Sequence, residues 1–270
     1  MTWRAPRGVL AELVASAREE CQRRRRARPG VPAEAARLPT RGLRFRKALL
    51  GGSNFPLICE VKRASPSAGH IADGVDAPAL ARAYVRGGAR CVSVLTEGPR
   101  FGGSLEDLAQ VRAAVDVPLL RKDFVVDPYM VEEAALAGAD AVLLIAGAVE
   151  PPRLADLAAS AHALGLDVLL EVVSLEETEA AAALDASLVG INARDLETLQ
   201  VDPGRFARLA PALRASGRTL VAESGIRSAA DLTALAQHGA TAALVGESLM
   251  RAEDPEAAVR ALSEAPCPPR

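Results

Sequence analysis

From residue 57 onward the chain alternates short continuous apolar runs with longer Ala-rich stretches in which apolar residues recur every three or four positions. The runs fall near 57–61, 91–95, 118–121, 141–145, 167–171, 188–191, 219–222 and 243–245. Apolar runs of this length predict strands buried on both faces, as in a parallel sheet, and the stretches between them predict amphipathic helices. About eight such units is the number that closes a parallel barrel. A second period supports closure: Gly88-Ala89, Gly138-Ala139 and Gly239-Ala240 each end a helical stretch and lead into the next run, with Asp185-Ala186 as a looser copy. These pairs mark the even-numbered runs, as expected of a barrel made of similar quarters. The structural rival, a doubly wound open sheet, needs a switch point and usually a glycine-rich first turn, and no G-x-G-x-x-G follows a run. The pattern therefore predicts an α/β fold, a (β/α)8 barrel of the TIM type. One domain is expected over 1–270, with 1–52 as a helical extension packed on the barrel.

In that extension, Leu10, Leu13, Val14 and Ala17 recur at helical spacing and predict an amphipathic helix over Val9–Cys21. Arg23 to Arg26 and Arg28 complement the negative end of its dipole before Pro29-Gly30 stops it, and read as a solvated helix end. A nucleic-acid arm is the alternative, but the run has no aromatic interleaving. A linker punctuated by Pro32 and Pro39 follows, then a short helix around Phe45 to Leu50, closed by Gly51-Gly52.

Composition narrows the picture. Half of the 270 residues are hydrophobic and only 3% aromatic, so the core must be built from Ala, Leu and Val. A net charge of −2 gives no global attraction to nucleic acid or an anionic membrane, which leaves anion binding to local features. Cys21, Cys59, Cys91 and Cys267 have neither metal-ligand nor disulfide spacing, and Cys59 and Cys91 read as small buried hydrophobes. The first ten residues lack a secretory apolar core, and the longest apolar run, 141–149, is too short to span a bilayer. A cytoplasmic protein is expected.

The candidate chemistry sits where the runs end. Val117 to Phe124 delivers Lys122 at the tip of an apolar run, and a buried strand has no reason to end in a cation unless that end opens onto water or a ligand. The other odd runs end in Glu60 and Lys62, in Glu171 and in Glu223, while the even runs bring Ser93 and Thr96, then Asn192 and Arg194. In a closed parallel barrel these tips converge on one face, where opposite charges in a partly dry mouth supply proton donors and acceptors. Ser224-Gly225 and Gly246-Glu247 follow the seventh and eighth runs and lead into helices, the usual place for a phosphate cradle of backbone N–H groups and helix starts. The 64–69 segment reads as a mobile loop able to close over a ligand. Phe101 to Ser104 reads likewise, with Ser104 equally an N-cap. His162 and His238 read as surface groups and His70 as a loop residue within reach of ligand; no metal set is visible.

Seven of these segments, in order, carry a resemblance. Glu60 to Ser67 (EVKRASPS), Ser93 to Glu97 (SVLTE), Phe101 to Ser104 (FGGS), Leu120 to Phe124 (LRKDF), Gly190 to Leu196 (GINARDL), Ala222 to Ile226 (AESGI) and Val245 to Leu249 (VGESL) resemble the indole-3-glycerol phosphate synthases of tryptophan biosynthesis, from about Val9 to Leu262. The resemblance implies a (β/α)8 barrel with extra N-terminal helices. It implies a lyase that turns 1-(2-carboxyphenylamino)-1-deoxyribulose 5-phosphate into indole-3-glycerol phosphate, carbon dioxide and water. By the same resemblance Lys122 is the acid that protonates the ribulose carbonyl oxygen, Glu171 and Lys62 are base and acid of the later dehydration, and Glu60 and Asn192 orient them. Ser65, Arg194 and Glu223 would line the mouth, and Phe124, Leu143 and Leu196 an anthranilate pocket. Ser224, Gly225, Gly246 and Glu247 would hold the phosphate. No cofactor is implied, because the cyclised iminium is its own electron sink. The implied partner is a small phosphorylated molecule, neither nucleic acid nor membrane; the sequence leaves the oligomeric state open, a monomer being compatible with it.

Three positions depart from the family pattern: Ala68 stands where lysine is frequent, Arg100 where an aromatic is common, and Ala193 where asparagine or serine is frequent. The first two bear on loop closure and affinity rather than on the reaction. A paralogue acting on an altered substrate and a non-catalytic phosphate-ligand binder are the rival functions. Intact Lys62, Lys122 and Glu171 argue against the second.

Overall fold

A computed structural model describes residues 3–40, 42–51, 54–67, 69–71, 74–214 and 217–266. Ala68 and Cys267 lie outside the described residues. Eight strands form the barrel: β1 (Leu57–Val61), β2 (Cys91–Leu95), β3 (Leu119–Lys122), β4 (Ala141–Ile145), β5 (Asp167–Val172), β6 (Leu188–Asn192), β7 (Thr219–Glu223) and β8 (Ala242–Val245). Every neighbouring pair is parallel, in chain order, and β8 closes on β1 through Leu57↔Ala243 to Cys59↔Val245. The expected barrel is thus the observed one, with strand limits within about a residue or two of the apolar runs.

The quarter repeat has a backbone cause. Gly88, Gly138 and Gly239 all have φ near +100° (107°, 89° and 98°), and Asp185, the non-glycine copy, also takes a left-handed φ of 48°. In each case the alanine that follows donates back into the last helical turn: Ala89 to Tyr84, Ala139 to Ala134, Ala186 to Ala181 and Ala240 to Leu235, at 2.9–3.0 Å. This closure satisfies an orphan carbonyl and aims the chain into the next strand. At the other end of the units, Asp76, Ser104, Asp127, Ser174 and Ser228 cap the helices that follow β1, β2, β3, β5 and β7. Ser104 is therefore an N-cap.

Three N-terminal helices precede the barrel: α1 (Gly8–Ala27), α2 (Val31–Ala35) and α3 (Arg44–Leu49). Leu10, Leu13, Val14, Ala17 and Cys21 form the buried stripe of α1 and join the main core. The helix runs past Cys21 through the arginines, and two of these differ from the expected solvated end. Arg24 makes two bonds to Glu133, at 2.8 and 3.1 Å, and Arg25 pairs with Asp127 while lying 5.2 Å over the Tyr129 ring. Glu133 and Tyr129 belong to α6 (Pro128–Leu136), so Arg24 and Arg25 dock α1 on the barrel's outer layer, while Arg23, Arg26 and Arg28 stay exposed as expected. The Pro32 segment, expected as linker, holds the single turn of α2, with its proline in the first turn where a missing N–H does no harm.

The segment after β1 also differs from a plain loop. Ala64–Ser65 and Gly69–His70 pair antiparallel, and Ala64 N donates to Phe101 O at 3.2 Å, joining the loops that follow β1 and β2. Cys59 and Cys91 are buried in their strands as expected, with burial pushing both thiols up.

Candidate active site

The site is built at the C-terminal ends of the strands. From β1 and its exit come Glu60 and Lys62, from β3 Lys122, from β5 Glu171, from β6 Asn192 and from β7 Glu223; all line one cavity. So do Ser65, Phe124, Leu143, Arg194 and Leu196 from strand tips and loops, and Ser224, Gly225, Gly246 and Glu247 from the exits of β7 and β8. The residues expected to carry the chemistry, line the substrate and hold the phosphate therefore meet at this one mouth. Ser93 and Thr96 do not. Ser93 is wholly buried in its strand, and the Thr96 hydroxyl faces Arg121 and Asp123. His70 is exposed on its hairpin and does not line the cavity.

Lys122 is the electrostatic centre. Its Nζ lies 3.4 Å from Glu171 Oε2 and 3.6 Å from Glu223 Oε2, while Lys62 Nζ lies 2.8 Å from Glu60 Oε1. Burial alone would lower the Lys122 ammonium, but Glu171, Glu223 and Glu60 outweigh it and push its pKa above the ordinary lysine range. Burial would raise Glu60, yet Lys62 and Lys122 hold it below the usual carboxylate value. Glu223 goes the other way. Burial and the neighbouring Glu171 carboxylate push it well up, against the pull of Lys122. Carboxylates and ammonium groups thus interleave in the mouth, which gathers acids and bases side by side. Glu171 Oε1 and Glu223 Oε1 are buried without a hydrogen-bond partner among the described residues. A buried unsatisfied oxygen is costly, and a ligand proton would relieve it.

Glycines make room for these glutamates. A Cβ on Gly190 would fall 1.9 Å from Glu223 Oε1, and one on Gly246 would fall 2.4 Å from Glu60 Oε1. Gly190→Ala is therefore expected to push Glu223 off Lys122, destabilising the fold by about 1–3 kcal/mol and lowering kcat by on the order of a hundredfold. Steady-state kinetics with a thermal melt checks this; wild-type kcat in the variant would show that Glu223 has slack.

Asn192 is fixed by its own neighbours: its Oδ1 accepts from Arg194 N at 2.9 Å and from Ser224 Oγ at 2.8 Å. Arg194 is in turn held by Leu199 O at 2.9 Å. Ser224 and Gly225 are both left-handed, at φ 69° and 79°, a turn of the kind whose N–H groups converge on an anion. The helix after β7, α10 (Ala229–Gln237), contributes less than its position suggests. Asp231 accepts from Arg227 N and Ser228 N, and Ser228 caps Asp231, so that helix start is already satisfied. The short helix after β8, Glu247–Met250, has no side-chain cap, and Ser248 Oγ ties it to Ile226 O at 3.0 Å.

Two cavity residues carried no such signal: Leu13 arrives from α1 and Leu199 from the turn after β6. Phe101, from the loop expected near the ligand, lines the cavity and packs at 6.0 Å against Phe124. Leu13 is one more member of an amphipathic stripe, and only the docking of α1 shows that it reaches the mouth. Arg100 leans away, pairing with Glu12 at 2.8 Å. No group of three His, Cys, Asp or Glu side chains is arranged for a metal ion among the described residues, nor is any described helix long and apolar enough to cross a membrane.

Fold and site together define a (β/α)8 barrel with acid and base groups gathered beside the Ser224-Gly225 turn at its C-terminal face. Solved structures agree on the fold alone. A thiamine phosphate pyrophosphorylase from Pyrococcus furiosus superposes with TM-score 0.56 at 18% identity, covering 77% of this chain and 93% of its own. A mandelate oxidase variant does so with TM-score 0.58 at 19% identity, covering 78% and 72%. Sequence is more specific. Residues 10–262 match the family model of indole-3-glycerol phosphate synthase. Enzymes of that name from Mycolicibacterium vanbaalenii and Mycobacterium avium are 53% and 52% identical over 212 residues, 78% of this chain and 78% of each relative. A third, indole-3-glycerol phosphate synthase 1 of Streptomyces coelicolor, is 51% identical over the same span. The chain belongs to the indole-3-glycerol phosphate synthase family.

Proposed function

We propose that this mouth carries out the family's reaction with Lys122 as its first acid. The chain is an indole-3-glycerol phosphate synthase, a carboxy-lyase of tryptophan biosynthesis that closes the ring of 1-(2-carboxyphenylamino)-1-deoxyribulose 5-phosphate. The observation that carries the assignment of roles is the 3.4 Å approach of the Lys122 ammonium to the Glu171 carboxylate inside one cavity. In the first step the ring carbon bearing the carboxylate attacks the ribulose carbonyl carbon. The carbonyl oxygen, gaining negative charge, takes a proton from Lys122. Carbon dioxide then leaves, and its bonding electrons neutralise the ring iminium. In the last step the new hydroxyl departs as water with a proton from Lys62, and Glu171 takes a proton from the adjacent carbon to complete the indole. Glu60, 2.8 Å from Lys62, keeps that ammonium aimed.

The phosphate is held by the backbone turn at Ser224-Gly225 and the uncapped helix start at Gly246-Glu247. Phe124, Leu143 and Leu196 supply apolar surface for the anthranilate ring, and Ser65, Arg194 and Glu223 its polar surround. The reading includes a monomer working in the cytoplasm. Incubating the purified protein with the anthranilate–ribulose phosphate, in the presence of a chelator and without nucleotide, is expected to give rising indole fluorescence. No rise would remove the assignment.

A further inference from the structure

Lys122 is the last residue of β3, and the ladder around it is one-sided. Pairing with β4 stops at Arg121↔Val142, while pairing with β2 reaches Leu95↔Lys122. Beyond that pair the Lys122 carbonyl accepts from Thr96 N at 3.0 Å. Of the side chains flanking Lys122, Arg121 turns away from the cavity to lie beneath α6, 1% exposed, while Asp123, 6% exposed, sits at the cavity wall. Arg121 Nη2 donates to Asp123 Oδ2 at 2.8 Å, Arg121 Nη1 reaches Glu133 Oε2 at 3.4 Å, and Asp123 Oδ1 accepts from Phe124 N at 2.8 Å.

One hydroxyl completes this arrangement. Thr96 Oγ1 donates to Asp123 Oδ2 at 2.6 Å and accepts from Arg121 Nε at 3.0 Å. Thr96 therefore touches all three consecutive residues at the strand tip: the backbone of Lys122 and the side chains on either side of it. A hydroxyl does this because it donates and accepts at once. An ammonium that must meet a developing oxyanion has little tolerance for displacement, and a shift of about 1 Å is enough to slow a reaction on the order of a hundredfold.

We propose that Thr96 is a positioning residue for Lys122, fixing where the ammonium stands through the Arg121–Asp123 pair and the Lys122 carbonyl without touching substrate. The proposal rests on the reading of Lys122 as the acid. The test compares Thr96→Val, which keeps shape and removes the hydroxyl, with Thr96→Ser, which keeps the hydroxyl. Val111→Ala, fully buried in the helix that joins β2 to β3 and absent from the cavity lining, serves as a purely structural control. Thr96→Val leaves Arg121 and Asp123 still paired, so it folds, with a modest loss of thermal midpoint.

Thr96→Val is expected to lower kcat by on the order of ten- to a hundredfold with KM changed less than about threefold. Thr96→Ser should restore most of kcat, and Val111→Ala should lose a comparable amount of thermal stability at wild-type kcat. Wild-type kcat in Thr96→Val would overturn the proposal, as would a Thr96→Ser variant as slow as Thr96→Val, or equal slowing in the Val111→Ala control. A separate arm, Lys122→Met, keeps the two failures apart. Turnover retained there removes the acid role itself, and the positioning role with it. Loss there with Thr96→Val unaffected removes the positioning role alone.

Discussion

Lys122→Met is expected to abolish indole formation, by about a thousandfold or more in kcat, while far-UV circular dichroism stays that of a folded barrel. Methionine keeps the length and much of the volume of the lysine stem and removes only the charged donor. That donor is always available. Three carboxylates hold the ammonium's pKa above the ordinary lysine range despite burial, so it does not titrate in the physiological window. The stability linked to its proton is present below about pH 10.4 and is lost only as pH rises through the still higher native value. Without it Glu171 and Glu223 lose their cation, and a broken buried pair destabilises by about 3–5 kcal/mol. The Lys62–Glu60 pair stays in place and the barrel around the site is untouched, so the protein stays folded. Fluorescence-monitored turnover with a parallel melt checks both halves. Turnover near wild type would take the acid role away from Lys122.

Glu171→Gln is expected to separate the two halves of the reaction. Glutamine preserves the size of a side chain that is fully buried at the end of β5 and removes its ability to take a proton. If Glu171 acts only after ring closure, one equivalent of carbon dioxide still leaves in a single turnover while indole fluorescence falls by about a hundred- to ten-thousandfold. The hydroxylated, decarboxylated ring then accumulates and is seen by mass spectrometry. Equal loss of carbon dioxide and indole would place Glu171 in the first step instead. Glu171 Oε1 has no hydrogen-bond partner among the described residues, as befits a base that meets its proton only in the complex.

The strands and their charged tips were legible because burial on both faces writes an uninterrupted apolar run, and a cation at the end of such a run has few structural excuses. Lys122 could be read in this way; Arg121 could not. Two adjacent cations in a strand face opposite sides, and sequence alone does not tell that the outward one meets Asp123 and Glu133 beneath a helix rather than water. The same limit hid Thr96, which reads as a mouth residue by position yet turns its hydroxyl outward. Arg24 and Arg25 read as a solvated helix end because their acidic partners lie about a hundred residues away on α6, a pairing no local pattern encodes. The turn proposed to hold the phosphate stood out as small residues after the last two strands. Which helix start stays open was not, since it depends on Asp231 closing a capping box at α10.

The most direct test of the account is a crystal structure of Lys122→Met soaked with the anthranilate–ribulose phosphate, which the variant binds without consuming. The account predicts the phosphate against the backbone amides of Gly225 and of the Gly246–Ser248 segment, the ring beside Phe124 and Leu143, and the ribulose carbonyl oxygen at the place the ammonium would occupy. A phosphate bound elsewhere, or a carbonyl oxygen turned away from residue 122, would contradict it.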